Sequence, residues 1–348
     1  MNVQRLARVC VPAFLIVAHC AAQDIVELKP AAIVKVAGQK ADGIVEPVKC
    51  DSRSNIYAQA SRESDAPGQT PVIKLSPEGK VTVFPVPRRE GKALGILGFA
   101  PTVDEGVVML TTDWEDHRYV ETYDDRGEFK SRFSLPAEVD PAQIAAASDG
   151  KVLVSGSYSS PGPEGTAVAK PFVGIFGSDG RLEREVDLTE TPPRRVRGGS
   201  GKLEPDASRD VREIRPSLSS STIQSSPDGN FIFSRISNGG PVYIVSPAGF
   251  ELNKVDLPSL PDSQLLSVTV DANRVAALYA KKKAGTTQNE ISDVFIPLLD
   301  SQTGEEMIRF HHSSPQLGAG LACYHEGVFS FLLTGQGDEL EIVRAKGE

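Results

Sequence analysis

Cysteine is scarce in this chain: four residues in 348, two of which, Cys10 and Cys20, fall in its apolar start. That leaves Cys50 and Cys323, too few for a disulfide-dense scaffold or a zinc cluster built from four thiolates. Neither a C-x-x-C nor an H-x-x-x-H pair occurs, and no G-x-S-x-G elbow is present, so no local metal or nucleophile motif can be read. Basic residues are outnumbered, 37 against 46 acidic, for a net charge of −9. An acidic surface repels phosphate backbones, so nucleic acid is excluded as an expected partner. Amphipathic segments of helical spacing longer than about three turns are lacking too. Beyond the N-terminal apolar run, no stretch reaches the length of a membrane-spanning helix.

The N-terminus reads as a signal peptide over residues 1–22. Arg5 and Arg8 give a basic start, Val9–Ala18 an apolar run, and Cys20, Ala21 and Ala22 the small residues before cleavage at Gln23. The alternative of acylation at Cys20 is disfavoured by His19, since a small residue should precede the lipidated cysteine. Cleavage removes two arginines and no acid, taking the charge from −9 to −11. The expected product, residues 23–348, is one exported domain, periplasmic or extracellular and monomeric.

What the chain has in quantity is turn residues, 31 Gly and 25 Pro, spaced between short alternating runs. A hairpin recurs: apolar strand, polar turn with glycine, second strand. Its glycines are Gly79, Gly127, Gly180, Gly249, Gly304 and Gly347, at intervals of 48, 53, 69, 55 and 43 residues. Ahead of each hairpin lies another turn, at Ser54-Asn55, Glu105-Gly106, Asp149-Gly150, Asp228-Gly229, Ala272-Asn273 and Glu326-Gly327, followed by an apolar run. Four strands per unit at this spacing predict a β-propeller, here with six blades.

The sixth unit stops at Glu348 without its fourth strand, whereas Ile25–Leu28 and Ile33–Val36 are strand-like and belong to no unit. The N-terminal segment is therefore expected to supply the outer strand of the last blade and close the ring, removing an exposed edge. Closure makes the first and last blades neighbours. Cys50 and Cys323 then lie on adjacent inner strands, and they are a possible disulfide if those strands approach closely enough.

Long segments fall between second and third strands and between blades, which open on one face of a propeller. The longest is the insertion at about 190–220, with Arg194, Arg195 and Arg197. On the same face, Asp113, Trp114, Glu115, Asp116 and His117 gather the only tryptophan among ionisable side chains. Two readings stand: a stacking platform for a sugar or peptide, or a polar loop whose indole packs on the next blade. His311 and His312 are adjacent and point apart on a strand, which disfavours a shared metal.

Ser54-Asn55-Ile56-Tyr57 with Val72–Lys80 resembles an NHL-type blade, and Ser226-Pro227-Asp228-Gly229-Asn230 resembles the turn of TolB-like and gluconolactonase-like propellers. The resemblance implies a six-bladed propeller. Gluconolactonase-type enzymes hold a divalent metal in the channel through Glu, Asn and Asp; here Ser219–Thr222 offers no Asn before the turn, and Ser234-Arg235 follows the strand in place of Asp. The expectation is thus a binding or scaffold propeller recognising a protein, peptide or glycan through its long-loop face, without a cofactor. The alternative is a metal-dependent hydrolase or lactonase with Ca²⁺ in the channel.

Overall fold

The computed structural model describes residues 25–348 apart from 64–65, 67, 162–166, 187–188, 191–211, 214–220, 237–239, 284–289 and 336. The signal-peptide segment and most of the 190–220 insertion lie outside the described residues. So does Cys20.

The described residues are strands, turns and short irregular links, with no α-helix among them. Four sheets have four strands each, in meander order. The first is Gly43–Cys50, Ile56–Ser61, Val72–Leu75 and Val81–Phe84; the second is Gly95–Pro101, Val107–Thr112, Arg118–Tyr123 and Phe129–Ser134. The third is Val139–Ala146, Val152–Pro161, Ala167–Phe176 and Leu182–Glu185; the fourth is Thr222–Ser225, Phe231–Ser234, Val242–Val245 and Glu251–Val255. Besides two ribbons of two short strands, one further sheet has eight strands. One half is a meander of Ser263–Asp271, Arg274–Lys282, Ile291–Asp300 and Glu306–His312. The other is Leu321–His325, Val328–Thr334 and Glu339–Gly347, with Ile25–Lys40 between the halves.

Ile25–Lys40 is one strand of 16 residues, where the sequence suggested two short ones. From Leu28 it pairs antiparallel with Glu339–Gly347, Ile33 opposite Val343, with a bulge after Pro30. Proline has no N–H to give a ladder, so a bulge is where a strand tolerates it. Ile25, Val26 and Glu27 pair parallel with Arg309, Phe310 and His311 on the other side. This second pairing left no trace in the sequence, because three residues of ladder carry no periodicity of their own.

The turns follow the local chemistry of their residues. Gly79, Gly127, Gly180, Gly249 and Gly304 all have positive φ, between 73° and 83°, a region that L-residues with a Cβ avoid. At Gly180 space adds a second reason, since a Cβ would lie 2.7 Å from the Phe133 ring of the preceding sheet.

The core is divided among six apolar clusters, each filling the gap between two consecutive four-stranded arrays. The last joins Val36, Ala322 and Ile342 to Ile56 and Ile73 of the first sheet. Alternate residues of one strand serve different gaps: Val152 and Val154 face the second sheet, Leu153 the fourth. Second strands are therefore buried on both faces and read as continuous apolar runs instead of alternating ones. The Cys50 and Cys323 sulfurs are bonded, with Cα atoms 5.8 Å apart, a separation that a bridge spans.

His312 is one of the polar side chains buried beside these clusters. It is 2% exposed, its ring meets Phe331 edge-on at 5.7 Å, and neither ring nitrogen makes a well-formed hydrogen bond. Burial, then the charge of neighbouring His311, push its pKa down to about 4, against a weaker pull from the Ser314 backbone. The unfolded chain therefore binds the extra proton first, and stability falls as pH drops from about 6.5 through 4, by up to about 3 kcal/mol. Urea midpoints at pH 7.0, 5.5 and 4.5 are expected to show this loss in the natural chain. They are expected to show a smaller one in His312→Phe, where the remaining fall comes from other groups. Equal slopes in the two proteins would contradict the assignment.

Candidate functional site

Strands of each array alternate in direction, so second-to-third turns and links between arrays emerge at one end. The turn 113–117 and the link 85–94 share that end. The link carries its own small hairpin, Arg88–Arg89 paired with Lys92–Ala93, and it folds over the turn.

Asp113 organises the turn. Its side chain is fully buried. Oδ1 accepts hydrogen bonds from the N–H groups of Glu115 and His117, at 2.9 and 3.0 Å. Oδ2 accepts from Tyr119 Oη at 2.9 Å and Arg89 Nη1 at 2.7 Å, and lies 3.1 Å from His117 Nδ1. Arg89 also contacts the Tyr119 hydroxyl. Burial alone pushes the Asp113 carboxyl up, but the two backbone N–H groups, Tyr119 and His117 outweigh it and hold it below the usual carboxylate range. The same N–H capture occurs at Asp51, from Arg53 and Asn55, and at Asp124, from Arg126 and Glu128. Aspartate at the head of a tight turn is thus a recurring device of this chain, and at Asp113 it is reinforced by a guanidinium.

That rigid turn displays Trp114. The indole is 45% exposed, so close to half of its surface faces solvent. Lys92 Nζ lies 4.3 Å from its ring centroid, within cation–π range. Glu115 and Asp116 point outward beside it, with side chains 62% and 89% exposed. All five residues singled out from the sequence are thus in one loop. Arg89, Lys92 and Tyr119 complete it and were not legible, since they reach the loop through folding alone.

Ligand atoms of Asp113, Glu115 and His117 come within 4.8 Å of one another. Asp113 Oδ2 already accepts from Arg89 and Tyr119, so a cation there would have to displace a guanidinium. The donor chemistry fits a hydrogen-bonded turn better than a metal centre. The other histidine contacts are structural links: His311 to Asp293 within one array, and His325 to Asp271 between two, both at 3.1 Å.

A second feature lies on the axis. A cavity of about 580 Å³ is lined by the inner strand, or the residues just before it, of every four-stranded array: Lys49, Leu97, Gln143, Gln224, Ser267 and Leu321. Its described lining contains no Asp, Glu, Asn or His.

No protein-family model matches the sequence, and no curated protein matches it. Among solved structures, a member of the DUF4221 family from Bacteroides vulgatus aligns with a TM-score of 0.52 at 8% identity, covering 94% of this chain and 99% of the other. The fold is a β-propeller. The Pan2 WD40 domain of Neurospora crassa aligns at 0.43 with 10% identity, covering 93% and 96% of the two chains. YCF48 bound to a D1 peptide aligns at 0.41 with 11% identity, covering 92% and 97%. No helix among the described residues is long and apolar enough to cross a membrane.

Proposed function

We propose that this chain is an exported, periplasmic or extracellular, six-bladed propeller that binds a protein, peptide or glycan through its long-loop face. The observation that carries the binding reading is Trp114: a half-exposed indole on a turn held by five contacts to one buried carboxylate. A large aromatic surface kept in place before binding loses little conformational entropy when a ligand stacks on it. Glu115 and Asp116 flank it with carboxylates for hydroxyl or cationic groups.

The count of six is supported by the six clusters between consecutive arrays and by the six inner strands that surround the axial cavity. In this reading the eight-stranded sheet is two blades joined by Ile25–Lys40. The hydrolase reading finds no support in the described axial lining, among whose residues there are no convergent carboxylates such as a divalent metal needs.

Glycan and peptide arrays, screened with the natural chain and with Trp114→Ala, test the proposal. Aromatic anchors dominate recognition surfaces, so binders are expected to lose at least about tenfold in affinity in the variant, or about 1.4 kcal/mol. Binders with equal affinity for both proteins would move recognition away from this loop.

A further inference from the structure

The axial cavity carries an inference independent of the loop face. Lys49 lines it at 4% exposure and makes one hydrogen bond, from Nζ to the Ile144 carbonyl at 2.8 Å. An ammonium has three donors, and among the described residues no carboxylate pairs with this one. Its nearest ring, Phe99, has its centroid 5.9 Å away. Burying an unpaired charge is costly, and chains avoid it unless something compensates. Ser267 lines the cavity from another array, and its Oγ is buried without a hydrogen-bond partner.

Two further polar side chains of the lining make bonds within the wall. Gln143 donates to the Ser221 carbonyl at 2.8 Å and accepts from Ile223 N–H at 3.0 Å; Gln224 donates to the Val268 carbonyl at 3.1 Å. These bonds tie neighbouring inner strands together, which fixes the shape of the cavity. That leaves to a ligand one cation, Lys49, and the hydroxyl residues Ser267 and Thr222 among apolar walls, in a volume typical of small-molecule sites.

We propose that the axial cavity binds a small organic carboxylate, its anion on Lys49 and Ser267 and its apolar body against Leu97 and Leu266. Inorganic phosphate fits less well, because a single cation balances only part of its charge and the walls around it are mostly apolar. Burial lowers the Lys49 pKa to about 7, with no charged neighbour contributing. Lys49 is the only titratable residue of the described lining, so binding an anion draws a proton onto it.

Isothermal titration with phenylacetate, its neutral amide and inorganic phosphate tests this on the full mature chain. Phenylacetate is expected to bind, with the amide and phosphate at least about tenfold weaker. Its affinity is expected to fall about tenfold per pH unit above pH 7, where the lysine must first take up a proton. Lys49→Met is expected to melt higher than the natural chain at pH 6, because it removes the unpaired ammonium, and to lose at least about tenfold in phenylacetate affinity. Ser267→Ala supplies a second variant with a smaller loss should Lys49→Met fail to fold. A peptide ending in Phe, with a free or an amidated C-terminus, distinguishes a chain terminus from a free acid as the carboxylate source. No binding of phenylacetate or the free-terminus peptide at millimolar concentration would overturn the proposal, as would unchanged affinity in Lys49→Met.

Discussion

A chain lacking residues 24–37 is expected to lose its cooperative unfolding transition. The deletion removes most of the ladder between Ile25–Lys40 and Glu339–Gly347, and the three parallel pairs with Arg309–His311. It also takes a core side chain from each of two apolar clusters on either side of the last array, since Leu28 sits in one and Val36 in the other, both at most 2% exposed. Each large side chain lost from a packed gap costs about 2–5 kcal/mol, and the two together approach the whole stability of a typical domain. The strand Glu339–Gly347 is left as an unpaired edge, which invites association between chains. Urea unfolding followed by circular dichroism is expected to be broad and concentration-dependent. A synthetic peptide of residues 25–40 is expected to restore a sharp transition. A deletion variant that melts like the natural chain contradicts the role assigned to this strand.

Reducing the Cys50–Cys323 bridge is the second large effect. The two residues are 273 apart in sequence, and a cross-link over so long a loop restricts the unfolded chain strongly, an effect of about 2–5 kcal/mol. It joins the inner strands of the first and last arrays, while Ile25–Lys40 secures the outer edge of the last. The seam is therefore held at both radii. Cys323 is 1% exposed and packs in the same cluster as Val36 and Ile56, so substitution removes packing as well as the bond. Comparing the reduced natural chain with a Cys50→Ala, Cys323→Ala double variant separates the two contributions. Both are expected to unfold at lower urea than the oxidised protein, the double variant lowest. An unchanged midpoint after full reduction contradicts the stabilising role.

Much of the architecture was legible because it is local. Turn chemistry at Gly79, Gly127, Gly180, Gly249 and Gly304 marks hairpins whatever surrounds them, and strand alternation has a fixed period. The unpaired last unit pointed to the N-terminal strand through arithmetic alone. Arg89, Lys92 and Tyr119 were invisible as partners of the 113–117 turn, because Arg89 and Lys92 belong to another link and a side-chain contact leaves no spacing. Lys49 was equally silent. A lysine beside an apolar strand end reads as a surface residue until inner strands of other arrays surround it. The sequence left two readings of Trp114 open, packed or displayed, because no local pattern reports whether a ring meets protein or water.

Trp114 as the contact surface is the central claim, and the chain offers a direct reporter, since it has one tryptophan. Emission from that indole, recorded while the tightest array binder is titrated in, reads the proposed site and nothing else. A saturable shift or quench with the same midpoint as binding measured by calorimetry is the predicted result. Saturable binding in calorimetry with no change in Trp114 emission is the result that contradicts it.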